Sequence, residues 1–158
     1  MKKRILAGLM CVIFALSLCG CDDGLKIKHN PTNKEAKSAK EIIAFYSRIK
    51  IPENATLIFY YYYSCFQGSE QDQYTVFLFE DECVEWLAEN NFNKEKNEVF
   101  EKAMAAGIED LGREQISKFY YPDFTSEYLW LEAKRTYFVY NKETKALYVL
   151  EVKRKIKI

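Results

Sequence analysis

Acidic side chains near the middle of the chain are the first candidates for chemistry. Four of them fall within six positions: Glu80, Asp81, Glu82 and Glu85. Two facing carboxylates can act as general acid and base in the hydrolysis of a glycosidic bond. Carboxylates also collect at helix starts, because the positive end of the helix dipole stabilises negative charge. A helical pattern follows these four residues, so a helix start explains them more simply than catalysis does.

A run of four tyrosines, Tyr60-Tyr61-Tyr62-Tyr63, is the most unusual feature of the composition. Side chains alternate between the two faces of a strand, so Tyr60 and Tyr62 share one face. If exposed, that pair would offer an aromatic strip to a protein or a sugar, since aromatic side chains are common at recognition surfaces. Helices covering both faces would instead make all four tyrosines structural. We take Tyr60 and Tyr62 as candidate binding residues.

Other catalytic and metal-binding arrangements lack the necessary residues. His29 is the single histidine, and it lies in a polar stretch that we expect to be a tether. A serine or cysteine nucleophile therefore lacks a histidine base. A zinc site needs about four suitable ligands, and the 6 glycines are too scattered to cradle a phosphate. The sequence predicts no cofactor and no metal, and it favours a protein that is not an enzyme.

Cys65 and Cys83 raise a separate question, because two thiols in an oxidising compartment can form a disulfide. The pattern predicts a hairpin that turns near residues 69–71. Cys83 would then follow the second strand, at the end of the hairpin opposite to Cys65. Eight residues of strand span roughly 25 Å, whereas a disulfide requires Cα atoms within about 7 Å. We expect two separate thiols, and a disulfide stays open if the turn lies elsewhere.

The elements that must position these side chains indicate an α+β fold. Thr32 and Glu35 have the spacing of a capping box, and apolar residues then recur at helical intervals as far as Ile49. Aromatic and β-branched strand patterns precede and follow two further helical segments. The predicted strands cover 55–66, 73–79, 127–133, 136–140 and 146–153, and the predicted helices cover 34–49, a short segment after Asp81, and 94–106. We expect a two-layer domain, with an antiparallel sheet of four to five strands and helices packed on one side.

The N-terminus carries the most specific pattern in the chain. A positively charged start at residues 1–4 precedes an apolar run from Ile5 to Leu18. That run is too short to span a bilayer, which takes about 20 residues, but it has the length of a signal-peptide core. It ends in Leu18-Cys19-Gly20-Cys21, which resembles the lipobox of bacterial prolipoproteins and covers about the first 21 residues.

The resemblance implies that a lipid is attached to the Cys21 thiol and that signal peptidase II cleaves before this residue. The polar stretch after Cys21 has no helical period, which is typical of a tether. We therefore expect a signal peptide at 1–20, the lipidated cysteine and a flexible tether at 21–33, and one domain at 34–158. The expected location is the extracytoplasmic face of the cell membrane, with the lipid as anchor.

Charge is balanced overall but uneven along the chain. The precursor has 23 basic and 23 acidic residues, and loss of residues 1–20 would remove three of the basic ones, so no basic excess points to nucleic acid. Residues 70–114 hold 13 acidic against 4 basic side chains, whereas residues 134–158 hold 8 basic against 2 acidic. This indicates either solvated segments or two faces of opposite charge, one of which meets a partner. The basic stretch 153–157 is typical of a guarded edge strand, with contact to anionic headgroups as the alternative.

Three functions fit these observations. The first is a non-enzymatic binding or interaction module held at the membrane, with an envelope protein as its partner. The second is a sensor or binder of a small molecule or a cell-wall glycan, which an exposed aromatic strip would favour. The third is an envelope hydrolase, which a concave pocket with two facing carboxylates would favour. A flat or charged surface with neither feature favours the first.

Overall fold

The computed structural model describes residues 26–29, 31–64, 71–112 and 115–152 of the chain. Its helices are α1 (Asn33–Ser47), α2 (Val84–Glu89) and α3 (Glu98–Gly112), with a 3-10 turn at Lys118–Tyr120. Its strands are β1 (Lys26–His29), β2 (Thr56–Ser64), β3 (Gln71–Leu78), β4 (Tyr128–Ala133), β5 (Thr136–Asn141) and β6 (Ala146–Glu151). The predicted α+β class is confirmed.

The described strands form one antiparallel sheet in the order β1-β2-β3-β6-β5-β4. Five of them, β2 to β6, come from the segment predicted to be the domain. The sixth is a correction, because β1 lies within the segment that we expected to be a flexible tether. It pairs with the edge of β2, where Lys26 lies opposite Tyr62 and His29 opposite Phe59. An uncovered edge offers a row of unpaired backbone groups, which explains why so short a strand adds there.

Helices cover both faces of the sheet, which corrects the expected two-layer arrangement. On the first face, Ala39 and Ile43 of α1 and Leu87 of α2 pack against the sheet. On the second face, Phe100, Met104 and Ile108 of α3 do so. The cause lies in the central strands, because every residue of β5 and of β6 is buried. A strand that is apolar on both faces needs a covering layer on each.

Helix α1 begins where the sequence predicts. The Thr32 hydroxyl accepts a hydrogen bond from the Glu35 amide, and the Glu35 carboxylate accepts one from the Thr32 amide at 2.8 Å. This capping box satisfies two amides that a helix start otherwise leaves without partners. The helix ends at Ser47, and Arg48 follows in the left-handed region with φ of 69°. The box therefore fixes the point at which α1 begins to cross the first face.

Candidate functional site

The structure describes some of the predicted site residues, and others lie outside the described residues. Cys21, the expected lipidation site, lies outside the described residues, as does Cys65. Tyr60 and Tyr62 lie together on the first face of the sheet, with ring centroids 5.9 Å apart. His29, predicted to lie in a tether, is instead part of the edge strand β1.

The four tyrosines do not form an exposed aromatic strip. Tyr60 is 6% exposed and Tyr61 3%, while Tyr62 is half-buried and Tyr63 is 37% exposed. The Tyr61 hydroxyl donates to the backbone carbonyl of Leu111 at 2.7 Å, which ties β2 to the end of α3. This corrects the exposed arrangement that the binding hypothesis requires. The physical reason is that both faces of β2 are covered, one by α1 and one by α3.

A buried polar row crosses the first face beside Tyr62. Strand register places Tyr62 opposite Gln73, Gln73 opposite Glu151, and Glu151 opposite Thr136. Directly opposed residues on antiparallel strands point to the same face. Gln73 and Thr136 are fully buried, and Glu151 is 3% exposed. We call Gln73, Glu151 and Thr136 the polar row.

Glu151 supplies the carboxyl group of this row, and the pKa of that carboxyl is raised. Burial raises the pKa of Glu151 from 4.5 to about 8, and the charge of Asp72 adds to the shift. The Gln73 amide donates to the Glu151 carboxylate at 3.0 Å, which works in the opposite direction because it stabilises the charged form. At neutral pH the carboxyl of Glu151 is therefore mostly protonated and uncharged.

Tyr60 and Tyr62 adjoin the polar row. Burial raises the pKa of the Tyr60 phenol, and the neighbouring Tyr62, Glu35 and Glu151 raise it further. The Tyr60 hydroxyl thus stays protonated across the physiological range and can donate a hydrogen bond. The structure brings the two predicted tyrosines together with a carboxyl, an amide and a hydroxyl that the sequence did not single out.

The chemistry open to this cluster is limited by its single carboxyl. Glu35 lies near Tyr60, but its carboxylate is engaged in the capping box of α1. Asp72 precedes Gln73 on β3 and so points to the opposite face. Among the described residues, this cluster therefore does not place a pair of carboxylates on either side of a bond. The row does contain two oxygen atoms without a hydrogen-bond partner in the described structure, Gln73 Oε1 and Thr136 Oγ1.

The acidic cluster at the start of α2 is solvated. Glu80, Asp81, Glu82 and Glu85 are all exposed. Cys83, which lies among them, has a free thiol, and partial burial raises its pKa. The thiol lies near the Tyr140 hydroxyl, whose own pKa is raised by burial first and then by Cys83. The cluster thus has the solvated character expected of acidic residues at a helix start.

A shallow cavity of about 400 Å³ lies elsewhere, between residues 92–97 and Trp130. Most of its polar groups form hydrogen bonds that hold the loop of residues 92–97 in place. The Trp130 indole donates to the Glu95 carbonyl at 2.7 Å, and Lys96 donates to the Phe124 carbonyl at 3.2 Å. The Asn97 carboxamide oxygen accepts from Val99 and Phe100 at the start of α3. These bonds give the cavity a structural explanation.

Sequence reasoning did not identify the polar row, although part of the signal was present. Leu147, Val149 and Glu151 share one face of β6, so a carboxyl occupies an inward position of an apolar strand. Charged residues are almost never fully buried unless paired. Strand register, which the sequence does not reveal, is what places Gln73 and Thr136 beside Glu151.

Comparisons with models of protein families, with curated proteins and with solved structures found no match. Among the described residues, no group of three His, Cys, Asp or Glu side chains is arranged to hold a metal ion. None of the helices in that part of the chain is long and apolar enough to cross a membrane. The function must therefore be inferred from the residues themselves.

Proposed function

We propose that this protein is a lipoprotein, anchored through Cys21 at the extracytoplasmic face of a membrane, whose domain is a non-enzymatic binding or interaction module. The lipobox Leu18-Cys19-Gly20-Cys21 after a short apolar run is the observation that carries this proposal. Attachment through two or three acyl chains makes such an anchor stable, because a single chain binds a membrane only marginally.

Three tyrosine hydroxyls on the second face have structural partners within the fold. The Tyr74 hydroxyl donates to the Tyr120 carbonyl at 2.5 Å, as Tyr61 does to Leu111. The Tyr128 hydroxyl donates to Glu101, and burial together with this bond raises the pKa of Tyr128 to about 12. These phenols fasten the second face of the sheet to α3 and the 3-10 turn. Their hydrogen bonds serve the fold.

A candidate contact for a protein partner lies on the 3-10 turn. Phe119 is 80% exposed, while the ring of the next residue, Tyr120, stacks on buried Phe59 with centroids 4.2 Å apart. The turn is thus held firmly by the core and presents Phe119 to solvent. Aromatic side chains, Phe included, are enriched at protein interfaces, and a preorganised support lowers the entropy lost on binding.

Cross-linking on intact cells tests the proposal. The protein would carry a C-terminal tag, and cross-linked material would be purified and identified by mass spectrometry beside a Cys21→Ala variant. We expect a partner in near-equal amount with the wild type and its loss with the variant, because the anchor concentrates the domain at the membrane. Absence of any protein partner with the wild type would contradict the interaction module.

A photo-reactive amino acid at position 119 sharpens the same test. The matched control is position 99, since Val99 is also exposed, at 63%, but lies on α3. Adducts from position 119 and not from position 99 would locate the partner on the 3-10 turn. Equal labelling at both positions would contradict a specific contact at Phe119.

Binding of a small polar molecule is the second candidate, and the polar row favours it over a glycan. Gln73 Oε1 and Thr136 Oγ1 are two buried oxygen atoms without partners on either side of Glu151, and Gln73 lies opposite the half-buried Tyr62. A thermal-shift screen of small polar molecules would compare the wild type with Gln73→Leu. A compound that raises the melting temperature of the wild type alone would support this candidate.

A further inference from the structure

The cavity between residues 92–97 and Trp130 has the composition of a binding site. Its volume is about 400 Å³, which lies within the range of about 300–1,000 Å³ that is typical of small-ligand sites. Phe92 and Trp130 supply its aromatic wall, and the other lining residues are polar or charged. Trp130 packs against Phe100 with ring centroids 4.5 Å apart and is only half-buried, so part of its surface stays open to the cavity.

Hydrogen bonds hold this cavity in shape. The backbones of Asn93 and Trp130 exchange two of them, at 2.8 and 3.0 Å, and the Trp130 indole donates to the Glu95 carbonyl. The Asn97 amide donates to the Tyr128 hydroxyl at 3.3 Å. A ligand would therefore meet a surface that is already ordered, and such a surface loses little conformational entropy on binding.

The same bonds leave polar side chains of the loop available to a ligand. Lys94 and Glu95 are exposed, and neither side chain forms a hydrogen bond or an ion pair within the described structure. Asn93 uses only the nitrogen of its carboxamide, which donates to the Trp130 carbonyl at 3.4 Å. The cavity thus offers an ammonium donor, a carboxylate acceptor and a carboxamide acceptor beside an aromatic wall.

The charges of the lining favour a neutral ligand. Lys94 and Lys96 lie on either side of Glu95 in the chain, so cations and an anion border one small space. An anionic ligand would face the carboxylate and a cationic ligand would face the ammonium groups, and like charges brought together cost affinity. A neutral molecule with many hydroxyl groups avoids this cost, because each hydroxyl can both donate and accept a hydrogen bond.

The aromatic wall narrows the class of ligand further. The face of an aromatic ring carries negative potential, and the ring C–H groups of a sugar are weakly positive. A sugar ring therefore packs with its C–H face against an aromatic side chain while its hydroxyls reach polar groups at the rim. The cavity is also shallow and open to solvent, which lets a longer saccharide chain continue beyond it.

From these features we infer that the cavity binds a neutral saccharide. One sugar ring packs against the Trp130 indole, and its hydroxyls bond to the side chains of Lys94 and Glu95. The inference goes beyond the proposed function, because it depends on neither the lipid anchor nor the contact at Phe119. It also places saccharide binding away from Tyr60, which is too buried to receive a sugar ring.

Nuclear magnetic resonance on the full chain in a mild detergent tests the inference. The probes would be cellotetraose and its N-acetylated counterpart, chitotetraose, and isotope-labelled protein would report on each amide and on the two tryptophan indoles. We expect saturable shifts at residues 92–97 and at the Trp130 indole with at least one probe. The Trp86 indole is the internal control, because it donates to the Lys50 carbonyl outside the cavity, and it should not shift.

Paired variants make the test specific to the loop. Lys94→Ala with Glu95→Ala should raise the dissociation constant about tenfold or more, because it removes two hydrogen bonds to charged groups. Lys37→Ala with Glu41→Ala removes the same two charges from exposed positions on α1 and should bind as the wild type does. Both variants keep the net charge of the chain, and their spectra report whether they remain folded.

Three results would overturn the inference. The first is the absence of shifts at residues 92–97 with either saccharide at the highest soluble concentration. The second is a variant of Lys94 and Glu95 that folds and binds as tightly as the wild type. The third is a larger shift of the same amides with an oligogalacturonate, an anionic saccharide, than with the neutral probes.

Discussion

Replacing Glu151 by glutamine should remove most of the alkaline sensitivity of this fold. Burial raises the pKa of Glu151 from 4.5 to about 8, so the folded state keeps a proton that the unfolded state has lost. Between those two pH values the folded state binds more protons, and its free energy of unfolding therefore falls as pH rises. Below about pH 4.5 and above about pH 8 this contribution is constant.

The size of the effect follows from the same shift. Each pKa unit corresponds to 1.36 kcal/mol, so a shift from 4.5 to about 8 gives a loss of at most about 5 kcal/mol. Glutamine is neutral at every pH and keeps a similar shape and a hydrogen bond to Gln73. The variant should match the wild type within about 1 kcal/mol at pH 5 and exceed it by several kcal/mol at pH 9.

Urea unfolding at pH 5, 7 and 9 measures this directly, with the mature protein in a mild detergent and tyrosine and tryptophan fluorescence as the probe. Glu132→Gln is the matched control, because that carboxylate lies on β4 but is exposed. It should keep the wild-type dependence on pH. A wild type whose stability does not fall from pH 5 to pH 9, or a Glu151→Gln variant that falls as steeply, would refute the reasoning.

Four further substitutions test the packing, each by urea unfolding. Ile43→Ala and Met104→Ala should each lower the free energy of unfolding by about 2–5 kcal/mol. In the double variant the two losses should add, because the residues lie on opposite faces of the sheet. A double-variant loss that differs strongly from the sum would argue for one shared core. Tyr61→Phe should lower the free energy of unfolding by about 1 kcal/mol or more, because it removes the hydrogen bond to the Leu111 carbonyl. An unchanged urea midpoint would contradict that hydrogen bond. Thr32→Ala should cost about 1 kcal/mol by removing the cap of α1, and no loss would mean that the cap is unimportant.

Much of the domain could be predicted from local patterns. The capping box at Thr32, the hairpin of β2 and β3, and the hairpin of β5 and β6 are encoded by residues close together in the chain, and the structure has all three. The strand β1 was missed because four residues give too little periodicity, and its pairing depends on the edge that β2 presents. Edge pairing is a property of the assembled sheet.

The covering of both faces and the polar row were missed for a related reason. Tyr137 and Phe138 show that β5 is apolar on both sides, but the pattern does not reveal which helix covers which side. The pair Tyr60 and Tyr62 was selected for its chemistry, yet its neighbours Gln73 and Glu151 come from other strands. A site assembled across strands becomes visible only when the register is known.

The central claim is the lipid anchor, and mass spectrometry of the mature N-terminus tests it most directly. Membranes from cells that express the wild type or Cys21→Ala would be extracted, and the N-terminal peptide of the tagged protein would be sequenced and weighed. We predict a chain that begins at Cys21 with acyl chains on that residue, and a variant that lacks both the cleavage and the lipid. A wild-type chain that begins at Met1, or one cleaved elsewhere without lipid, would contradict the account.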